Sequence, residues 1–227
     1  MNRLVALAGG SLLLACASLK GEAPKAPQVA DADYGRLTPQ QTAVVETARR
    51  NEMAARDNLA RAQMRLKEAD HEAELAQADL PAVESDKKRA EAEVKRASES
   101  RDPAALDRAQ GASQSAAIHE QEAAAHEDYA AKLKQACQAE ATAAQRRLDT
   151  SSAQVDQAKL RALQSAGVPA AAKYDPSSFD KAVSDAAAKQ AQAETEALQK
   201  RQQAVLAERQ WEDLQQRLRA KSSAMAR

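Results

Sequence analysis

The fold is decided by residues 45–97, which read VETARRNEMAARDNLARAQMRLKEADHEAELAQADLPAVESDKKRAEAEVKRA. A spacing of three and four residues marks one stripe in this stretch, and 14 of its 16 positions are apolar. Apolar residues with this period share one helix face, and sustained heptads are typical of a coiled-coil seam. The stretch therefore predicts one long helix with its seam at Val45, Ala48, Glu52, Ala55, Leu59, Ala62, Leu66, Ala69, Ala73, Ala76, Leu80, Val83, Lys87, Ala90, Val94 and Ala97.

Pro81 interrupts this long helical pattern. A proline inside a helix removes one backbone hydrogen bond, and its ring clashes with the preceding turn. We therefore expect a kink near residues 77–81, and a break in the helix is the alternative.

The composition of the 227-residue chain favours long helices over a thick globular core. Alanine dominates a hydrophobic fraction of 44%, and only 2% of the residues are aromatic, so large core side chains are scarce. Residues that favour strands are also few, which predicts an all-α protein. The formal net charge is zero, which removes the electrostatic basis for binding nucleic acid.

Three capping sequences divide the chain into long helices. Thr38-Pro39, Asp102-Pro103 and Asp175-Pro176 each place a cap residue before a proline at the first helical position, and Gly167 is a helix stop. Short connections between long helices favour antiparallel neighbours. We expect three long antiparallel helices in one elongated, Ala-rich coiled-coil bundle, one helical domain at 38–223 with helices at 38–99, 103–166 and 176–223.

The amino-terminal segment, residues 1–15, is typical of a removable signal peptide. It has a cation at Arg3 and then an apolar run to Leu14 that is too short to span a bilayer. Its end, Leu13-Leu14-Ala15-Cys16, resembles the lipobox of bacterial lipoprotein precursors, although Leu14 is bulkier than the residue usual there.

The lipobox resemblance implies cleavage before Cys16, diacylglycerol on its sulfur and an acyl group on its new amino group. Such an anchor holds a protein firmly, because each buried methylene contributes about 0.8 kcal/mol. In Gram-negative lipoproteins an aspartate after the cysteine signals inner-membrane retention. Ala17 stands there, which implies a lipid anchor in the outer membrane, facing the periplasm.

The segment at 16–37 is predicted to be a flexible tether between the anchor and the bundle. It contains Pro24, Pro27, Gly21 and Gly35 without a sustained period. Such a tether would hold the helical domain away from the membrane surface.

Side-chain spacing on one helix face suggests a candidate metal site. His119, Glu122 and His126 lie on one helix face, where imidazole and carboxylate could bind zinc or copper, but the spacing is not His-Glu-x-x-His. The alternative is histidines at the edge of a seam. We expect no metal, no cofactor other than the covalent lipid on Cys16, and no catalytic residue.

Cys137 and Trp211 each allow two interpretations. Cys137 lies in an alanine stripe, where a thiol acts as a small buried hydrophobe, and reaction or pairing between chains is the alternative. Trp211 is expected in a seam, and anchoring a partner is the alternative.

These features predict a structural protein rather than an enzyme. We expect a lipid-anchored spacer or docking protein of the cell envelope, with the bilayer and an envelope protein or a second copy as partners, and no small-molecule substrate. The alternative is a periplasmic holdase chaperone or assembly factor. The chain ends in Arg227 rather than the lysine through which the major coiled-coil lipoprotein is linked to peptidoglycan, which argues against that linkage. The oligomeric state stays open.

Overall fold

The computed structural model describes residues 27–35 and 37–225. Its helices in chain order are α1 (Asp31–Tyr34), α2 (Pro39–Ser100), α3 (Pro103–Ser165), a 3₁₀ helix (Pro169–Lys173) and α4 (Pro176–Met225). No β-strand occurs within these described ranges, and the predicted all-α class with three long helices is confirmed. The signal peptide, Cys16 and Arg227 lie outside the described residues.

Each long helix begins at its predicted cap and proline. The backbone N–H of Thr38 donates to Gln41 Oε1 at 2.9 Å, which is half of a capping box. Asp102 Oδ1 accepts the N–H groups of Ala104 and Ala105 at 3.0 and 3.3 Å. These side chains satisfy amide groups that have no partner inside the first helical turn.

The predicted seam of α2 faces the interior of the bundle. All of its positions are buried or half-buried, and the fully buried alanines recur every seven residues. Seven residues make nearly two turns, so a contact with this repeat stays on one face along the whole helix. The buried residues of α2 are Val45, Ala55, Ala62, Ala69, Ala76, Val83 and Ala90.

The helix does not break at Pro81, so that alternative was wrong. Pro81 lies inside α2, which continues to Ser100. Buried contacts on both sides hold the helix together, with Ala76 and Val83 only 2% and 8% exposed. One missing backbone hydrogen bond is therefore offset by side-chain packing on either side of the proline.

The middle helix α3 makes the extensive contacts with both α2 and α4. Ion pairs and hydrogen bonds join α3 to each of its two neighbours. In both helix pairs the numbers of the contacting residues fall along one helix as they rise along the other. Between α2 and α3 they join Lys87 to Glu120, Glu72 to His126, Asp70 to Lys134 and Arg65 to Glu140. Between α3 and α4 they join Gln114 to Lys221, Glu122 to Trp211, Gln135 to Lys200 and Gln157 to Asp180.

The stop predicted at Gly167 is present at the end of α3. Gly167 has a φ of +64°, and the N–H of Val168 donates to the carbonyl of Leu163 at 3.1 Å. This is the hydrogen bond of a Schellman cap, which satisfies a carbonyl at the end of the helix. The chain can then turn into the 3₁₀ helix and enter α4.

Residues 27–35 are not the flexible tether that was expected across 16–37. Val29 and Tyr34 are only 3% and 8% exposed, and Tyr34 is the last residue of α1. The segment is held against the bundle by the burial of these two side chains. Polar contacts with α3 add to this. Proline and glycine content predicted mobility, but it does not reveal such docking contacts.

Candidate functional site

A cluster of three rings joins α3 to α4. His126 and Tyr129 are three residues apart on α3 and therefore share one face of that helix. The Trp211 ring from α4 stacks on both, with centroid distances of 4.5 Å to His126 and 5.4 Å to Tyr129 and interplanar angles of 24° and 12°. Such ring pairs contribute about 0.5–1.5 kcal/mol beyond simple burial. We call His126, Tyr129 and Trp211 the aromatic cluster.

Two carboxylates complete the contacts of the aromatic cluster. The indole N–H of Trp211 donates to Glu122 Oε1 at 2.6 Å. His126 Nε2 lies 2.9 Å from Glu72 Oε1 on α2, so the cluster reaches all three long helices. Trp211 is half-buried in its seam, as the first interpretation of this residue predicted.

The candidate metal ligands do not converge on one point. His119 is exposed, whereas Glu122 accepts from Trp211 and His126 contacts Glu72. The three side chains border one open groove between α2 and α3. Over residues 27–35 and 37–225 the structure contains no group of three or more His, Cys, Asp or Glu side chains that could hold a metal ion.

Cys137 is a buried residue of α3. Its side chain is 5% exposed, and burial raises the pKa of the thiol above its ordinary value. Burial also raises the pKa of Tyr129, eight residues earlier on the same helix. A thiol held in its neutral form is a poor nucleophile, which fits the interpretation of Cys137 as a small apolar seam residue.

An open groove runs between α2 and α4, with α3 as its floor. Three adjoining depressions of about 410, 480 and 440 Å³ make up this groove. The first and second share Asn58 and Arg147, and the second and third share Arg65. We call this feature the central groove.

The lining of the central groove is largely polar and small. Thr150 and Ser151 from α3 form part of its floor and are 6% and 9% exposed. Further along, the lining alternates arginine and glutamate with alanine, and one end reaches Cys137 and Trp211. This groove was not predicted from the sequence, although the run Thr150-Ser151-Ser152, which interrupts the alanine-rich pattern of α3, was a visible signal.

Comparisons of this chain with protein-family models, with curated proteins and with solved structures found no match. Among the described helices, none is both long enough and apolar enough to cross a lipid bilayer.

Proposed function

We propose that this chain is a lipid-anchored spacer and docking protein of the bacterial cell envelope. The observation that carries the proposal is the buried seven-residue repeat of α2, which contacts α3 along most of the length of both helices. At about 1.5 Å per residue, helices of 62 and 63 residues are each about 90–95 Å long. We infer an elongated, antiparallel coiled coil, because the cross-helix contacts occur in opposite order along neighbouring helices.

The anchor is proposed from the lipobox residues Leu13, Ala15 and Cys16. Diacylglycerol and an added acyl chain on Cys16 would hold the bundle at a membrane. Alanine rather than aspartate at position 17 favours the outer membrane. A rod that is fixed at one point can separate the membrane from a second envelope component or present a surface to it. Alanine seams suit this role, because they bring helix axes close and make a narrow, stiff bundle.

The open character of the central groove supports a structural role over catalysis. Acid–base or nucleophilic chemistry needs a base beside its nucleophile, and a site that excludes water strengthens it. Two of the four carboxylates that line the central groove, Glu72 and Glu140, are engaged in contacts that join α2 to α3. The buried Cys137 thiol is held in its neutral form.

The holdase alternative depends on apolar surface for unfolded clients. Among the residues that the structure describes, six large apolar side chains are prominently exposed, namely Val44, Met53, Met64, Leu75, Leu198 and Leu206. Met53, Met64 and Leu75 follow one another at intervals of 11 residues, about 16 Å along the helix. These side chains are isolated apolar points on the surface and do not form one continuous patch, which favours the spacer over the chaperone.

The test combines lipid analysis with crosslinking in cells. Membrane-extracted protein should have the mass of residues 16–227 with attached acyl chains, and Cys16→Ala should lose the lipid. In-cell crosslinking of the anchored protein should recover a small, reproducible set of envelope partners that Cys16→Ala no longer recovers. Cys137→Ala is the matched control, because it removes the other thiol and should keep both lipid and partners.

Two results would overturn this proposal. A mature protein without lipid on Cys16 would remove the anchor. Recovery of many unrelated outer-membrane precursors, together with suppression of their aggregation by the purified protein, would favour the holdase instead.

A further inference from the structure

The segment that leads from the anchor into the bundle is held at one end of the helices. We call residues 27–35 the N-terminal strap. Val29 is buried with Leu160, Leu163 and Phe179. Tyr34 is buried with Val45, Ala158 and Ala162. The strap thus crosses from the start of α4 to the start of α2, over the last turns of α3.

Polar contacts hold the backbone of the strap in this position. The N–H of Val29 donates to Asp156 Oδ1 at 3.4 Å, and the N–H of Ala30 donates to the hydroxyl of Tyr174 at 3.0 Å. That hydroxyl in turn donates to Asp33 Oδ2 at 2.9 Å. Since Tyr174 both accepts from and donates to the strap, it acts as the central fastening.

Two lysines add ion pairs to this fastening. Lys159 contacts Asp31 at 3.1 Å, and Lys173 contacts Asp33 at 3.4 Å. Lys159 is only 13% exposed, although the Asp31 side chain is 86% exposed. Exposed pairs of this kind contribute little individually, so the buried Val29 and Tyr34 side chains supply most of the stability.

All of these partners lie at the same end of the bundle. That end contains the start of α2, the end of α3, the 3₁₀ helix and the start of α4. The connection between α2 and α3, at Arg101 and Asp102, lies at the other end of α3. The 63 residues of α3 separate the two ends by about 95 Å. We call them the strap end and the hairpin end.

We propose that the strap fixes the orientation of the bundle, so that the strap end faces the lipid surface and the hairpin end points away from it. This inference rests on the proposed function, because it requires lipid on Cys16. Only ten residues lie between Cys16 and Pro27, so the two are 11 steps apart along the chain. A chain spans at most about 3.6 Å per residue, so the strap end stays within about 40 Å of the membrane.

The hairpin end is free to extend well beyond that distance. The formal net charge of the chain is zero, so there is no overall electrostatic attraction that would lay the bundle flat on anionic lipid. The protein therefore presents its hairpin end, rather than its strap end, to the next layer of the envelope.

Energy transfer to a membrane dye tests this orientation in the lipidated full-length protein. Two single-label variants are made in a Cys137→Ala background, Ala172→Cys at the strap end and Ser98→Cys at the hairpin end. Both positions are exposed. The proteins are inserted into vesicles of phosphatidylethanolamine and phosphatidylglycerol that carry an acceptor on the lipid headgroup.

We expect transfer to be several-fold stronger from residue 172 than from residue 98. Equal transfer from both positions, which a bundle lying flat would give, overturns the inference, as does stronger transfer from residue 98. Vesicle flotation is measured on the same samples. A protein that fails to float refutes the lipid anchor, whereas a protein that floats with equal transfer refutes only the orientation.

A second variant tests the role of the strap itself. Val29→Ala combined with Tyr34→Ala removes the two buried side chains that hold the strap, and Val44→Ala changes an exposed valine of α2 as the matched control. Release of the strap lengthens the link to the membrane, so transfer from residue 172 should fall, while the control should match the parent. Unchanged transfer in a variant whose circular dichroism is native would refute the role of these contacts.

Discussion

The indole N–H of Trp211 on α4 donates to Glu122 Oε1 on α3 at 2.6 Å, while the same ring stacks on His126 at 4.5 Å. One side chain thus joins two helices both by a hydrogen bond to a charged group and by ring contact. Because His126 also contacts Glu72 on α2 at 2.9 Å, the aromatic cluster links all three long helices.

Replacement of Trp211 by alanine should destabilise the bundle. The variant loses ring contacts worth about 0.5–1.5 kcal/mol and a hydrogen bond to a carboxylate worth about 1.5–3 kcal/mol. We expect the free energy of unfolding in urea, followed by circular dichroism, to fall by about 2–4 kcal/mol. Trp211→Phe keeps a stacked ring and should lose less. An alanine variant as stable as the parent would show that the cluster does not hold α4 in place.

Enlargement of a seam alanine should be more harmful than the same change on the outer face. Ala62 is 2% exposed and lies in the seam, whereas Ala60 is exposed on the same helix. Ala62→Leu should reduce the free energy of unfolding by about 1–3 kcal/mol through overpacking. Ala60→Leu should change it by less than about 0.5 kcal/mol. Equal effects in urea denaturation would mean that the seam does not bring the helices into close contact.

The cap of α4 should depend on pH. Hydrogen bonds from the side chain and backbone N–H of Ser177 lower the pKa of Asp175 below its ordinary value of 3.8. A carboxylate with a lowered pKa in the folded state contributes stability above its unfolded pKa and loses it as the pH falls through the folded value. Amide hydrogen exchange at Ser177 and Ser178 should therefore quicken as the pH is lowered through this range, relative to the intrinsic exchange rate.

Asp175→Asn is the control for this prediction. Asparagine keeps an acceptor oxygen but does not titrate, so its protection at residues 177 and 178 should be nearly independent of pH over the same range. If the parent and the variant show the same pH dependence, Asp175 is not the group responsible.

The thiol of Cys137 should react slowly in the folded protein. Burial raises its pKa, so the thiolate is scarce at neutral pH and its access is blocked. We expect a thiol reagent to modify Cys137 slowly in buffer and fast in urea. In the folded protein the rate of modification should rise only at high pH. The Ser98→Cys variant in a Cys137→Ala background is the exposed control. Similar rates for the two thiols in buffer would contradict the burial of Cys137.

Helix starts and seam positions could be predicted because they depend on neighbours in the chain. Asp102 and Asp175 accept from amides two or three residues away, the N–H of Thr38 donates to Gln41 three residues on, and a proline follows each of the three caps. The seam of α2 follows from a period of about 3.5 residues, which the sequence displays directly. Pro81 was harder to interpret, because its effect depends on whether the flanking residues find a partner helix.

The candidate site was only partly predictable. Glu122 and His126 were recognised as neighbours on one helix face, but their partners Trp211 and Glu72 lie 89 and 54 residues away in the sequence. Which residues meet across a seam depends on the axial register of two helices. Alanine stripes specify that register weakly, because one small residue fits much like the next.

By itself, the sequence determined that this protein is built of three long helices with narrow seams, because helix periodicity and capping are local properties of the chain. Only the tertiary structure decided that α3 lies between its neighbours, that Trp211 meets Glu122 and His126, and that Val29 and Tyr34 fasten the strap to one end of the bundle. Those arrangements join residues far apart in the chain, and burial of large side chains in specific gaps between helices stabilises them.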